Sequence, residues 1–479
     1  MSWETVIGLE VHVQLLTRSK MFCGCSTAFG DPPNTNVCPV CLGLPGALPV
    51  PNAQAIRLAT RAALALGCTV NGRSVFARKN YFYPDLPKGY QISQFDQPLA
   101  IHGGLEFESP ERGRMRCGIT RLHVEEDAGK SLHDRFPGKT AVDLNRAGVP
   151  LAEIVSEPDL RSPAEARVYL TTLKQILMYA EVSDCSMEQG SLRVDANISI
   201  RKAGDSTLGT KSEVKNLNSF ANVERALTAE RDRQIGLVES GQRITQSTLL
   251  FNAGTGQVRL LRSKEESHDY RYFPDPDLPP LVLSKEWIEE QGAALPELPD
   301  AKRERLVMAY GLSLEHARVI AADRAFANYF EAVVAAGAES QAAANWVMGD
   351  ALAGYNAIGR FAVAPARLAE LTQLVAKNKV SQQAAKRVFA SDELADPSTA
   401  STLAVAEKLG LTQVSDTGAL GGWVDEVLTA FPKEVERYRA GETKLIAFFV
   451  GQVMKRSQGK ADPKGVQPVL AEKLNAVKK

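Results

Sequence analysis

Residues 192–201 alternate without a slip: Leu192, Val194, Ala196, Ile198 and Ile200 are apolar, while Arg193, Asp195, Asn197, Ser199 and Arg201 are polar. A period of two puts every apolar side chain on one face of a strand and every polar one on the other. Strands of this kind build a sheet with one dry and one wet face, which favours antiparallel pairing over a doubly wound parallel sheet covered on both sides. The wet face carries two cations, a carboxylate and an amide, a set as well suited to flooring a polar cavity as to facing bulk water. Residues 5–15 repeat the pattern, with Ile7, Leu9, Val11, Val13 and Leu15 opposite Glu10, His12 and Gln14. Arg121, His123 and Glu125 alternate in the same way with Leu122 and Val124, and Glu126 and Asp127 follow at the strand's end.

Helical patches interrupt the strands. Ser162-Pro163 reads as an N-cap and first turn for a helix over 164–180, whose apolar positions are Tyr169, Leu173, Ile176, Leu177 and Ala180. Beyond about residue 290 the pattern changes: the Pro-rich segments 273–280 and 295–300 are punctuation, and Ala-rich helical repeats follow, as over 325–336 and 341–353. A turn-rich stretch over 391–399 marks a second boundary. A chain of 479 residues is long enough for about three domains, and the boundaries divide it into 1–294, 295–400 and 401–479.

Charge excludes one class of function. With 56 basic and 56 acidic side chains the chain is neutral, so it does not hold nucleic acid by bulk electrostatics, and any RNA contact must be local. One local candidate is the end of the chain, where Lys455, Arg456, Lys460, Lys464, Lys473, Lys478 and Lys479 face only Asp462 and Glu472; phosphate binding and a solvated, frayed tail are both compatible with it. No secretory leader pattern opens the sequence, and no apolar run approaches the roughly 20 residues of a membrane span. Seven cysteines in such a chain point to reduced thiols or metal ligands, and a cytoplasmic location is expected.

Four constellations carry chemistry. Cys23-Gly-Cys25 and Cys38-Pro-Val-Cys41, separated by a short Pro- and Asn-containing loop, have the paired spacing of a closed, structural Zn(II) site. Incidental cysteines or a redox Cys-x-x-Cys are the competing readings, and Cys68, Cys117 and Cys185 read as small buried apolar residues. Glu10, His12, Glu125, Asp143 and Glu153 form an acidic set with one histidine, able to hold Mg(II), although any one of them taken alone is better explained by a salt bridge. Tyr81-Phe-Tyr83, framed by Arg78, Lys79, Asp85, Lys88 and Tyr90, can stack a base beside a phosphate; a strand edge in the core is the alternative. Residues 142–159 set Asp143, Asn145, Arg146, Glu153 and Glu157 among apolar residues, as the lining of a site would. Gly129-Lys-Ser131 is not a phosphate-binding loop, because its first glycine is replaced by Val124 and acidic residues precede it. Nor is there a recognisable Ser or Cys nucleophile motif.

Joined to Ile7-Gly-Leu-Glu-Val-His-Val13, Lys79-Asn-Tyr-Phe-Tyr-Pro-Asp85, Gln91-Ile-Ser-Gln-Phe-Asp-Gln97 and Arg121-Leu-His-Val-Glu-Glu-Asp-Ala-Gly-Lys130, these segments resemble the GatB family, one of the three components of the bacterial and organellar glutamyl/aspartyl-tRNA amidotransferase GatCAB. The resemblance implies an α+β fold: an antiparallel-sheet cradle over 1–294 with a kinase-like site and the zinc knuckle, an all-helical domain over 295–400, and a small helical, YqeY-like tail over 401–479 that grips tRNA. It implies ATP-dependent activation of the side-chain carboxylate of Glu-tRNA(Gln) or Asp-tRNA(Asn), with Mg as cofactor, Zn in some members, and ammonia supplied by the glutaminase GatA, which pairs with the small GatC in a heterotrimer. A non-discriminating aminoacyl-tRNA synthetase is a further implied partner, and no membrane is involved. In these roles His12, Glu125 and Glu153 bind Mg, with Glu10 and Asp143 as secondary candidates. Glu125, Glu10, Lys79 and Tyr81 act in catalysis, Lys79 and Tyr81 as walls of the substrate pocket or ammonia passage and Glu125 also gating ammonia, and Asp143, Asn145 and Arg146 bind the nucleotide cofactor. From another class, a non-catalytic zinc-containing RNA-binding adaptor would make the acidic set mere salt bridges; ATP consumption on adding charged tRNA separates the two.

Overall fold

The computed structural model describes residues 2–263, 270–396, 398, 401–413, 417–457 and 459–476. It divides into two compact units, Met1–Leu298 and Pro299–Lys479.

The first unit is built on a nine-stranded sheet. In spatial order its strands are Gln257–Ser263, Ser247–Asn252, Ser212–Leu217, Leu192–Lys202, Trp3–Gln14, Pro150–Ser156, Gly113–Glu126, Ala100–Ser109 and Thr69–Val70. Among the described residues seven of the eight pairings are antiparallel, in line with the alternating patterns. The exception is the parallel pair Ser212–Leu217 and Ser247–Asn252. A parallel neighbour needs a long crossover, and helix Phe220–Glu239 supplies it. Leu9, Val11, Val13, Leu122, Val124, Ala152, Ile154, Val194, Ala196 and Ile198 fill the dry face and share a core with residues of helices Ala53–Ala65, Pro163–Tyr179 and Phe220–Glu239. Ser162 caps the second of these by accepting from the Glu165 amide at 3.2 Å, with Pro163 in the first turn. The opposite face of the sheet is left open as a cradle. A small sheet of Phe273–Pro274, Ala77–Asn80 and Tyr90–Ser93 supplies Lys79 and Gln91 to the rim of that cradle.

The second unit is helical and has two cores. One runs from Leu306 to Ala406 and includes Phe330, Trp346, Leu368 and Val388; the other runs from Leu420 to Leu474 around Phe449, Val453, Val466 and Leu470. The helix expected over 341–353 is instead Ser340–Trp346, a π-helical turn Val347–Ala351 and Leu352–Ile358, a widening that periodicity does not reveal. The end of the chain is not a frayed tail as far as Ala476. Helices Leu445–Arg456 and Pro463–Asn475 complete the last core, Arg456 pairs with Glu426 at 2.6 Å, and Lys473 pairs with Asp425 and donates to the Gly421 carbonyl at 2.9 Å. Part of the basic surplus is thus neutralised within the fold. Residues 399 and 400, beside the expected boundary, and Lys478 and Lys479 lie outside the described residues. Among the described residues no helix is long and apolar enough to cross a membrane.

Candidate active site

Strand register makes the site. His12 lies opposite Arg193 on one side and Glu153 on the other, and Glu153 lies opposite His123. Arg193, His12, Glu153 and His123 therefore form one row across four strands, and alternation turns all of them to the open face. Glu125, two residues along from His123, shares that face. His12 Nε2 is 3.4 Å from Glu153 and 3.8 Å from Glu125, while His123 Nε2 is 3.2 Å and 3.7 Å from the same carboxylates. One ligand atom each from His12, Glu125 and Glu153 falls within 4.8 Å of the others, so one imidazole and two carboxylates converge on a single point. That donor set fits a hard or borderline divalent cation that keeps several waters.

The imidazoles and carboxylates of the cluster hold one another in their charged forms. Burial opposes charge on His12 and His123, but the hydrogen bonds and charges of Glu153 and Glu125 outweigh it, holding His12 above its ordinary value and raising His123 to about 9. Burial would likewise push the Glu153 carboxyl up, yet the two imidazoles hold it well below the usual carboxylate range. A divalent cation would take the place of these protons.

Around the cluster lies a cleft of about 670 Å³, within the size range of small-molecule sites. Glu10, Lys79, Tyr81, Asp127, Arg193, Asp195, Lys215, Tyr270 and Tyr272 line it. Lys79 Nζ sits 5.0 Å from the Tyr270 ring centre and 5.9 Å from that of Tyr81. Although burial disfavours its charge, Glu125 keeps the Lys79 ammonium above its ordinary value. Tyr81 donates to Gln91 Oε1 at 3.2 Å, Glu10 accepts from Asn197 Nδ2 at 3.0 Å, and Ser93 Oγ donates to Glu125 at 3.0 Å. Phe95 stacks on Tyr272 with ring centres 4.2 Å apart. The open face of the cleft thus combines a donor set that could hold a cation, the basic side chains of Lys79, Arg193 and Lys215, of which Arg193 pairs with Asp127 and Lys215 with Asp195, and an aromatic wall.

The structure does not bring every candidate to this cleft. Glu126 faces away and pairs with Lys88, also accepting from the Ile92 amide at 3.0 Å. Asp143, Asn145 and Arg146 are absent from the lining, because their hydrogen-bonding capacity is used elsewhere. Asp143 accepts from the Asn34 amide, and Asn145 accepts from the Asn36 amide at 2.8 Å and donates to the Pro32 carbonyl at 2.8 Å, so both clasp the loop between the cysteine pairs. Arg146 donates to the carbonyls of Ala128 at 2.9 Å and Gly129 at 2.6 Å and so fixes the end of the acidic strand. Phe82 and Tyr83 are exposed, leaving Tyr81 as the member of the aromatic run that lines the cleft. His123, Arg193, Asp195, Lys215 and Tyr272 were missed as site residues. For His123 and Arg193 the signal was present, since each lies on the wet side of an alternating strand.

The four paired cysteines form a second centre. Cys41 Sγ is 3.4 Å from Cys23, 3.7 Å from Cys38 and 3.8 Å from Cys25. A Zn–S distance of about 2.3 Å gives a tetrahedron with edges of about 3.8 Å, so the sulfurs are spaced for zinc. A hydrogen bond from Cys23, aided by the nearby Lys20 ammonium, draws the Cys41 thiol down to about 4, while the same contact and burial push Cys23 up.

The family model described as "GatB/GatE catalytic domain" matches residues 5–289, and that described as "GatB domain" matches residues 328–474. The B subunit of the aspartyl/glutamyl-tRNA(Asn/Gln) amidotransferase of Geotalea uraniireducens is 53% identical, the alignment covering 99% of this chain and 100% of the relative. The proteins of the same name from Geobacter sulfurreducens and Alkalilimnicola ehrlichii are each 52% identical over the same shares.

Proposed function

The chain belongs to the GatB family, and from that premise we propose that it is the amidating component of an aspartyl/glutamyl-tRNA(Asn/Gln) amidotransferase. It binds Glu-tRNA(Gln), Asp-tRNA(Asn) or both, activates the side-chain carboxylate with ATP, and admits ammonia released by the glutaminase GatA, held together with GatC. The observation that carries this reading is the convergence of His12, Glu125 and Glu153 beside Lys79 and Arg193 in one cleft.

The chemistry follows from what a carboxylate lacks. It is anionic, and its oxide is a poor leaving group, so ammonia does not displace it. Transfer of the γ-phosphoryl group from ATP to a carboxylate oxygen releases ADP and makes that oxygen part of a phosphate. Attack of the ammonia nitrogen on the acyl carbon then expels the phosphate, and the proton lost by nitrogen passes to a carboxylate of the cleft, for which Glu10 is placed. His12, Glu125 and Glu153 would hold a magnesium ion, which when bound neutralises charge on the nucleotide phosphates. Lys79 adds positive charge for the transferring phosphoryl group, with Arg193 beside it paired to Asp127 at 2.9 Å, and the aromatic wall of Tyr81, Tyr270 and Tyr272 excludes water. Cys23, Cys25, Cys38 and Cys41 would hold a structural zinc. The exposed lysines of the last helices offer phosphate contacts to the tRNA body.

The test is reconstitution with GatA and GatC. Amide formation should require this chain, ATP, Mg²⁺ and misacylated tRNA together, with one ADP released per amide; ATP left intact in the complete mixture would defeat the proposal.

A further inference from the structure

Lys20 is fully buried, an uncommon position for an ammonium group, and nothing in the chemistry above uses it. Its three donors are all directed. One reaches the Asn36 carbonyl at 2.6 Å, one reaches the Leu144 carbonyl at 3.3 Å, and the third points at Cys41 Sγ, 3.5 Å away. Asn36 belongs to the loop between the cysteine pairs, and Leu144 precedes the strand that carries Glu153. The backbone of Lys20 is fixed as well: its amide donates to the Cys25 carbonyl at 3.0 Å, and its carbonyl accepts from Asn52 Nδ2 at 3.2 Å. Gly148, at φ +86°, lies against the lysine stem, where an added Cβ would stand 3.4 Å from Cδ.

Four thiolates around one zinc ion leave a net charge of minus two, and buried charge is costly unless it is paired. We propose that Lys20 is a positioning residue, the built-in counter-cation of the four-cysteine centre, and that it pins this centre to the loop supporting the acidic cluster. The second half of the link is continuous in space. From Leu144 the chain passes to Asn145, clasped to the cysteine loop, and to Arg146, which holds Ala128 and Gly129. The amide of Gly148 donates to the Asp127 carbonyl and that of Asp127 to the Val149 carbonyl, both at 2.8 Å. Zinc occupancy at the cysteines thereby sets how firmly the end of the Glu125 strand is held.

This inference rests on the cysteines being a zinc centre, and the experiment separates the two. In the full zinc-loaded chain, Lys20→Met keeps the apolar stem and removes the charge. Transfer of zinc to a chromophoric chelator should be roughly tenfold or more faster than in the parent, the range typical of outer partners of a metal site. The unaltered chain gives an independent reading if the variant does not fold: amine acylation followed by mass spectrometry should spare Lys20 with zinc bound and label it after zinc is stripped. Mn²⁺ affinity at the acidic cluster, read by electron paramagnetic resonance, should fall several-fold on stripping. A parent chain purified without zinc overturns the zinc centre and this role with it. Zinc present with unchanged release in Lys20→Met, or with Lys20 labelled equally in both states, overturns the role of Lys20 alone. Equal Mn²⁺ affinities overturn the link to the acidic cluster.

Discussion

Glu125 and Glu126 are adjacent carboxylates with opposite surroundings, and their paired removal tests the assignment of the cleft. Both are buried, at 2% and 3% exposure. Glu125 faces His12 and His123 and accepts from Ser93. Glutamine there keeps the shape and an oxygen for Ser93 but removes the charge that would hold a cation. Losing one charged group of a preorganised site costs about 2–4 kcal/mol of transition-state stabilisation. At about 1.36 kcal/mol per tenfold, amide formation by the reconstituted complex should fall roughly 30- to 1000-fold, while misacylated-tRNA binding stays nearly unchanged. Glu126 faces Lys88 and the Ile92 amide. Glu126→Gln should therefore lower stability by about 1–3 kcal/mol, the range for a disrupted buried polar contact, with Mn²⁺ affinity and turnover preserved. The assays are single-turnover amide formation, Mn²⁺ titration and urea unfolding of both variants. Unchanged turnover in Glu125→Gln, or an equal loss of turnover in Glu126→Gln, would refute the reasoning.

Elemental analysis should find about one zinc per chain, lost in the Cys38→Ser/Cys41→Ser double variant; metal-free protein prepared without chelators would contradict this. Glu165 is fully buried and bound by Arg112 through two contacts of 2.6 Å, by Ser109 at 2.7 Å and by the Arg161 amide at 2.7 Å. Burial disfavours its charge, but these partners hold its carboxyl below the ordinary value, so its contribution is present above the unfolded value near pH 4.5 and is lost as pH falls through the folded one. The difference in unfolding free energy between the parent and Glu165→Gln, about 2 kcal/mol at pH 7 and read by urea unfolding, should close on acidification, and a gap independent of pH between about 3 and 6 would remove this origin. Deleting residues 451–479 would take away Val453, Val466, Leu470 and Leu474 and with them the last core, so the basic end is better tested by Lys455→Gln, Lys460→Gln and Lys464→Gln together. Each lost phosphate contact should lower the salt slope of tRNA binding by roughly 0.7 to 0.9, and an unchanged slope would move RNA recognition elsewhere.

Local patterns in the sequence were sufficient for the elements. The alternation over residues 192–201 and 5–15 gave strands with the wet face on the expected side, Ser162-Pro163 marked a helix start, and the spacing of Cys23, Cys25, Cys38 and Cys41 anticipated four sulfurs in one place. These features depend on neighbours within a few residues, where backbone geometry and side-chain period decide the outcome. The resemblance then singled out His12, Glu125 and Glu153 from a larger acidic set in which each member alone reads as a salt bridge.

Register and side-chain partnering belonged to the tertiary structure. The row Arg193, His12, Glu153 and His123 joins strands far apart in the chain, and a slip of one residue in any pairing would turn its members to the dry face. Asp143, Asn145 and Arg146 sit among apolar residues beside that strand but satisfy loop carbonyls and amides that nothing local identifies, because the loops they clasp begin more than a hundred residues earlier or lie across the sheet. The same holds for the end of the chain. Its charges are compatible with a solvated tail as well as with phosphate binding, and only the packing of Val453, Val466 and Leu470 around Phe449 makes it part of a core, since burial of apolar surface is decided by which helices meet and not by the composition of either one.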